Sequence, residues 1–345
     1  MIGYGHWGPN LVRSFVEIPD ATVVAVADAN PERLAQLRRV YPHIRATTDY
    51  RELFALDLDA VVIATPPATH FRLAGEALQQ GLHVLLEKPL VLDSGQGQEL
   101  IHLAEQRDRI LMVGHVFVFN PAVRALKRMI QSEEIGRVYY IDMVRVSLGL
   151  FQRDVNVLWD LAPHDISILL YLLGCDPIAV SAYGASCVQY GVEDVAYIRL
   201  VLPNYAMAHI RVSWLDPCKV RRITVVGSKK MVVYDDIENL EKLRVYDKGV
   251  NCVPYTTTFG DFQFSYHYGD ITIPQIKLAE PLALECSHFL ECIQEHKRPD
   301  TDGYNGLKVV QIIEHAQRSL KNGGTLEQLF YEPERQAAKA LAGAV

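Results

Sequence analysis

Gly3-Tyr4-Gly5-His6-Trp7-Gly8 is a GxGxxG run. It feeds a stretch with Leu11, Val12, Phe15 and Val16 on one helical face, followed by a β-rich run that ends in Asp28, about twenty residues beyond Gly8. In that order the glycines permit a tight turn, backbone N–H groups approach a pyrophosphate at a helix N-terminus, and the carboxylate accepts from the adenosine ribose hydroxyls. A lone GxGxxG carries little weight. With helix, second strand and acid in place, dinucleotide binding outweighs a merely structural glycine turn. Asp28 repels a 2′-phosphate, so NAD is favoured over NADP, with Arg33 near enough to keep NADP open.

Further along, Ala64-Thr65-Pro66-Pro67-Ala68-Thr69-His70 puts two prolines in a loop after an apolar run, where an open α/β sheet receives ligands; the alternative is a rigid turn and nothing more. Glu87-Lys88-Pro89 ends the next apolar run and places an amine at the same rim. An amine desolvated beside a cationic nicotinamide ring can take part in proton transfer, whereas a rim lysine is otherwise a solvated charge. His115 ends another such run and is assigned to the cofactor or substrate pocket. Asp160 and His164 stand at i and i+4, so on a helix they share a face and can meet. A carboxylate that fixes an imidazole tautomer makes the histidine a general base near neutral pH. The plainer alternative is a helix-start carboxylate favoured by the dipole, beside a capped or core histidine.

These residues need elements to hold them. The chain has 345 residues, 49% of them hydrophobic and 22% charged, which excludes a disordered or collagen-like chain. A formal charge of −7 gives no broad basic field, so nucleic acid is not an expected partner. Apolar runs such as Leu82–Leu86 and Ile168–Leu173 fall short of the roughly 18 residues a membrane helix needs, and no signal-peptide pattern opens the chain. The expected address is the cytoplasm, with no membrane partner. Cys175, Cys187, Cys218, Cys252, Cys286 and Cys292 are widely spaced, without a CxxC pair or zinc-like cluster; reduced thiols and no metal are expected.

Up to about residue 120, strand-like runs (Thr22–Asp28, Asp59–Thr65, His83–Glu87, Ile110–His115) alternate with helix signals, including the caps Asn30-Pro31 and Asp93. This is the pattern of a doubly wound parallel α/β sheet. Only Met1 and Ile2 precede Gly3, although a first strand needs about five residues; a displaced chain start or a stub strand with weaker cofactor binding would account for this. Asn120-Pro121 opens a helix to about Gln131 and marks the boundary. Beyond it, Val138–Ser147, Ile178–Ala185, Val195–Leu202, Ala206–Trp214, Arg222–Val226 and Met231–Tyr234 read as strands. Pro203-Asn204 and Gly227-Ser228 look like hairpin turns, predicting a mostly antiparallel sheet. Helices are predicted at about Asp160–Leu173, Leu282–Glu295 and Tyr304–Leu320, and an alanine-rich tail, frayed or lying on a neighbour, from about Glu332.

The chain resembles the Gfo/Idh/MocA oxidoreductases over nearly its whole length. The resemblance rests on the GYGHWG start, ATPPATH, the EKP tripeptide at Glu87–Pro89, GHVFVFNPAV at Gly114–Val123 and the D-x-x-x-H of Asp160–His164. It implies an NAD-binding Rossmann domain (1–119), then a substrate and oligomerisation α/β domain (120–331) with a large open, mostly antiparallel sheet and closing helices packed back toward the first domain. Residues 332–345 would be a tail, and the sheet's outer face would make a homodimer or homotetramer. Carried over residue by residue, the family's catalytic lysine falls on Lys88, its aspartate on Asp160 and its histidine on His164. The reaction implied is reversible hydride transfer between a sugar or polyol carbinol carbon and C4 of nicotinamide. His164 would remove the hydroxyl proton, Asp160 would orient it, and Lys88 would hold the reacting oxygen and share the proton relay. Gly3, Gly5, His6, Trp7, Gly8, Asp28, Arg33, Thr65, Pro66, Pro67, His70, Glu87, Lys88 and His115 would line the cofactor, and Asn120 and Arg145 would join the catalytic trio around the substrate.

Within the family, GHWGPNLVR, HVFVFNPAV and LWDLAPHD look most like members that oxidise C3 of UDP-N-acetylglucosamine or its uronic acid. The alternatives are an inositol or simple-sugar dehydrogenase, an NADPH-dependent ketosugar reductase (against which Asp28 argues), and a non-catalytic dinucleotide-binding regulator. The full set of Lys88, Asp160 and His164 counts against the last.

Overall fold

The computed structural model describes residues 1–152, 155–203, 206–252 and 264–331. The glycine run opens α1 (Gly8–Val16), and Leu11, Val12 and Phe15 bury its apolar stripe. There follow β1 (Ala25–Ala27), α2 (Pro31–Val40), β2 (Arg45–Thr47), β3 (Ala60–Ile63), α3 (His70–Gln79), β4 (His83–Glu87), α4 (Ser94–Gln106) and β5 (Leu111–Gly114). The caps work as their residue types dictate: the side chains of Asn30 and Asp93 accept from the N–H of Glu32 at 2.9 Å and of Gln96 at 3.0 Å. β1 and β2 pair in parallel, as do β3, β4 and β5. Between the two groups Ile2 bridges Ala27 on one side and Ile63 on the other. The Ile2 N–H donates to Val62 at 2.8 Å, its carbonyl accepts from Ala64 at 2.8 Å, and Ala27 exchanges bonds with Met1 and Gly3 at 2.8 and 2.7 Å. Met1–Gly3 therefore lies between β1 and β3, hydrogen-bonded on both sides.

In the second half, α5 (Pro121–Gln131) begins under the cap of Asn120, whose Oδ1 accepts from Ala122 N at 2.9 Å. Next come β6 (Val138–Val146), α6 (Val157–Leu173), β7 (Ala179–Ala185), β8 (Val195–Val201), β9 (Met207–Ser213), β10 (Val220–Gly227), β11 (Met231–Asp235), β12 (Leu243–Cys252) and β13 (Phe264–Thr272). The chain then closes with α7 (Pro281–Glu295), α8 (Gly303–Lys321) and the short β14 (Glu327–Gln328). One large sheet runs in the order β13-β12-β11-β10-β6-β9-β8-β7-β14, antiparallel throughout except between β6 and β9. β12 and β13 add to the strands expected from the sequence. The exposed side chains of β13 show none of the alternation that marks a half-buried strand. The alanine-rich tail expected from Glu332 lies outside the described residues.

The main core lies between one face of this sheet and α6 and α8. The other face is open: Tyr140, Met207, Tyr197 and Tyr183 project from it in consistent register and are exposed. Helix α6 starts earlier than the apolar stripe suggested, because Asn156 caps it by accepting from Trp159 N at 3.2 Å. Asp160 thus falls in the first turn of α6, pointing back toward the first sheet. Cys175, Cys187, Cys218, Cys286 and Cys292 are free thiols.

Candidate active site

A cleft of about 1100 Å³ runs from the glycine turn, along the carboxyl ends of β1, β3 and β4, to the first turn of α6. Gly3 has φ of 95°, and a Cβ there would lie 2.5 Å from the Ala64 carbonyl oxygen; at Gly8 a Cβ would lie 2.9 Å from the Gly3 carbonyl oxygen. These two glycines let β1, β3 and α1 converge, while Gly5, His6 and Trp7 face the cleft. The turn is braced from below. Asp28 Oδ2 accepts from Tyr4 N at 2.6 Å and lies 3.4 Å from Arg33 Nη1, while Oδ1 accepts from Asn30 N at 2.8 Å. These features fit a dinucleotide: a cradle without Cβ atoms for the pyrophosphate and a buried-edge carboxylate for the ribose. Tyr50, Arg51 and Arg72 line the same end. They come from a short helical turn and from α3 and belong to no motif, so nothing in the sequence marks them.

Thr65, Pro66, Pro67, Glu87 and Lys88 also line the cleft. His70 does not. Fully buried, it places Nδ1 2.8 Å from the Pro89 carbonyl oxygen and Nε2 2.9 Å from that of Thr65, so it staples the two rim loops together instead of touching a cofactor. His115 is also absent from the cleft wall. Only 1% exposed, it has both ring nitrogens sealed without a hydrogen-bond partner, and burial, with Lys88 nearby, presses its pKa down to about 3. The Glu87 carboxyl is pushed up to about 7 by burial, against the smaller opposing effects of Lys88 and its N–H. Behind it, Glu285 of α7 is buried with both oxygens unpartnered, and burial followed by the Glu87 charge raises its pKa well above the carboxylate range.

At the inner end of the cleft the two halves of the chain meet. Lys88 Nζ, at the end of β4, donates to the Asp160 carbonyl oxygen at 2.8 Å and lies 3.5 Å from Asp160 Oδ1. Asp160 Oδ2 accepts from Trp214 Nε1 at 3.0 Å. The expected contact between Asp160 and His164 is not made: the carboxylate is held by Lys88 and Trp214, and the i, i+4 spacing brought it only to the same helix face. In the sequence Trp214 is only the last residue of the strand expected at Ala206–Trp214. Its one polar atom was the only signal, because a buried indole N–H needs an acceptor. His164 sits edge-on to Phe117, with ring centroids 4.9 Å apart, and its Nδ1 is sealed without a partner. Burial first, then the positive charges of Lys88, Arg145 and Arg221, holds its pKa well below the usual value, so the ring is neutral.

Asn120 and Arg145, expected at the substrate, are instead committed within the protein. Asn120 caps α5 and its Nδ2 donates to Asp236 at 3.3 Å. The Arg145 Nε and Nη2 donate to the two oxygens of Asp165 at 2.7 and 3.2 Å, both side chains being almost fully buried, and the guanidinium lies 4.4 Å from the Phe117 ring centroid. β6 turns Arg145 toward α6, where Asp165 holds it.

Residues 1–115 match the model of an oxidoreductase family with an NAD-binding Rossmann fold, and residues 123–233 match the GFO/IDH/MocA C-terminal domain. The chain belongs to the Gfo/Idh/MocA oxidoreductases. It is 28% identical over 316 residues to the UDP-N-acetylglucosamine 3-dehydrogenase of Acidithiobacillus ferrooxidans, covering 90% of this chain and 93% of that one. A solved structure of that enzyme has a TM-score of 0.77 over 93% of this chain and 96% of its own. The chain is also 27% identical over 336 residues to the scyllo-inositol 2-dehydrogenase (NAD(+)) of Bacillus subtilis, covering 93% and 92%. The WlbA dehydrogenase of Bordetella pertussis, solved with NADH and UDP-GlcNAcA, shares the fold at a TM-score of 0.77 and 23% identity over 96% and 98%. For this Gfo/Idh/MocA member the Rossmann half is thus an NAD-binding domain. No helix among the described residues is long and apolar enough to cross a membrane.

Proposed function

We propose that this protein is an NAD-dependent dehydrogenase that oxidises a sugar hydroxyl to a ketone, with C3 of a UDP-N-acetylglucosamine-type nucleotide sugar as its substrate. The observation that carries the reaction class is the meeting of Lys88, from the cofactor half, with Asp160, from α6, at the inner end of the cleft, with the neutral His164 one turn further along α6, behind the residues that line the cleft. A bound NAD, cradled by the glycine turn and Asp28, would supply the hydride acceptor for the carbinol carbon. The chain's own residues handle the proton: a neutral imidazole accepts it from the substrate hydroxyl, and with Nδ1 sealed that role falls to His164 Nε2. Lys88 holds the reacting oxygen, and Asp160 holds Lys88. Asp28, braced against the glycine turn, supports NAD over NADP.

Likeness to the UDP-N-acetylglucosamine 3-dehydrogenase over nine-tenths of the chain supports the nucleotide-sugar reading. A second reading, an inositol dehydrogenase, is favoured by the nearly equal identity to the scyllo-inositol enzyme. Residues 1–119 serve as the cofactor domain and 120–331 as the substrate domain, and the open tyrosine-bearing sheet face supports assembly into a homodimer or homotetramer, which light scattering on the purified protein would test. The substrate is tested by following NADH absorbance with NAD and, in parallel, UDP-N-acetylglucosamine, its uronic acid, myo-inositol and glucose. A signal with the UDP-sugars alone upholds the first reading; a signal with the free polyol or sugar alone replaces it with the second.

A further inference from the structure

We infer that Trp214 is a positioning residue for the reaction, acting through Asp160 to decide which of two partners that carboxylate serves; the inference rests on the reading of Lys88 and Asp160 as catalytic. Trp214 follows β9 directly and is 2% exposed. Its backbone is fixed on two sides: its N–H donates to the Asp194 carbonyl oxygen at 2.9 Å, and its own carbonyl accepts from Gly149 N at 2.8 Å. The ring is fixed as well. Phe151 packs on it with centroids 5.6 Å apart, and Gly149 lies so close that a Cβ there would sit 3.2 Å from Trp214 Cδ1. The indole is therefore a rigid post, and its single polar atom donates to Asp160 Oδ2 at 3.0 Å.

That bond selects a rotamer. Asp160 meets Lys88 from β4 and shares its helix face with His164, one turn further along α6. With Oδ2 pinned by the indole, Oδ1 faces Lys88 at 3.5 Å, and His164 is left without a carboxylate partner. Without the indole N–H, the carboxylate, about a quarter exposed, is free to turn to water or toward His164. Lys88 then loses one of its two anchors, and His164 gains a partner that favours its protonated form over the neutral base. Gly149 and Phe151 stand just before Gln152, which lines the cleft, so the same post also borders the cleft wall on that side.

Trp214→Phe keeps the ring and removes only the donor. We expect it to lower kcat about tenfold, as for loss of one charge-assisted hydrogen bond, with NAD affinity changed less than about twofold. Asp160→Asn lowers kcat as well, and the double variant is no slower than Asp160→Asn alone, because both changes break one chain of contacts. Losses that multiply in the double variant, or a Trp214→Phe protein with unaltered kcat, would overturn the inference. Full activity of Asp160→Asn would instead overturn the underlying reading of the site. A measurement on the intact fold avoids reliance on a core substitution: in the indole N–H spectrum of the 15N-labelled protein, Asp160→Asn shifts the Trp214 signal, and an unmoved signal means that the bond is not formed in solution.

Discussion

Replacing Glu87 by glutamine tests whether burial governs the floor of the site. In the folded chain this carboxyl titrates at about 7, against 4.5 when solvated. Below pH 4.5 it is protonated in both folded and unfolded chains and contributes no pH dependence. As pH rises from 4.5 to about 7, the unfolded chain releases the proton while the folded chain keeps it, so stability falls through this window and the loss is complete above it. The gap corresponds to about 3 kcal/mol at about 1.4 kcal/mol per pH unit. For 345 residues, at about 2.1 cal/mol/K of unfolding entropy each, that is a change of about 4 °C in the thermal midpoint. Glutamine has the same shape and no proton to lose. The midpoint of Glu87→Gln minus that of the native protein, measured without cofactor by scanning calorimetry across this window, should rise by about 4 °C toward the alkaline end. A difference that stays flat with pH would show that Glu87 is solvated in solution and that the desolvation argument is wrong.

Other outcomes follow from the same geometry. His164→Ala should reduce kcat by about 100-fold or more while leaving the NAD dissociation constant within about threefold, by rapid kinetics and fluorescence titration; retention of full rate would remove it as the base. Asp28→Ala should weaken NAD by roughly tenfold and NADP by less, and an unchanged preference would mean that Asp28 serves only to brace Tyr4 and Asn30. Arg145→Met strands the buried Asp165 carboxylate and should cost about 3–5 kcal/mol of stability in urea unfolding. A variant of native stability that has lost sugar affinity would return Arg145 to the substrate site.

Local features of the sequence were legible because their physics is local. Asn30, Asp93 and Asn120 cap helices with side chains that reach N–H groups two or three residues on, and the glycine run bends the chain wherever it stands. Periodicity conveyed the doubly wound half and most of the large sheet, but β13, exposed along nearly its whole length, buries no face and so leaves no pattern to read. The candidate site was legible as a set of residues and not as a set of contacts. Asp160 and His164 share a helix face, yet a carboxylate turns to the strongest donors around it, and these came from Lys88 and Trp214, 72 and 54 positions away. His70, His115, Asn120 and Arg145 have side chains that could equally well bind ligand or hold the fold. Only tertiary packing chose between those uses, because whether a polar group meets a cleft, a carbonyl oxygen or a buried carboxylate depends on residues distant in the chain.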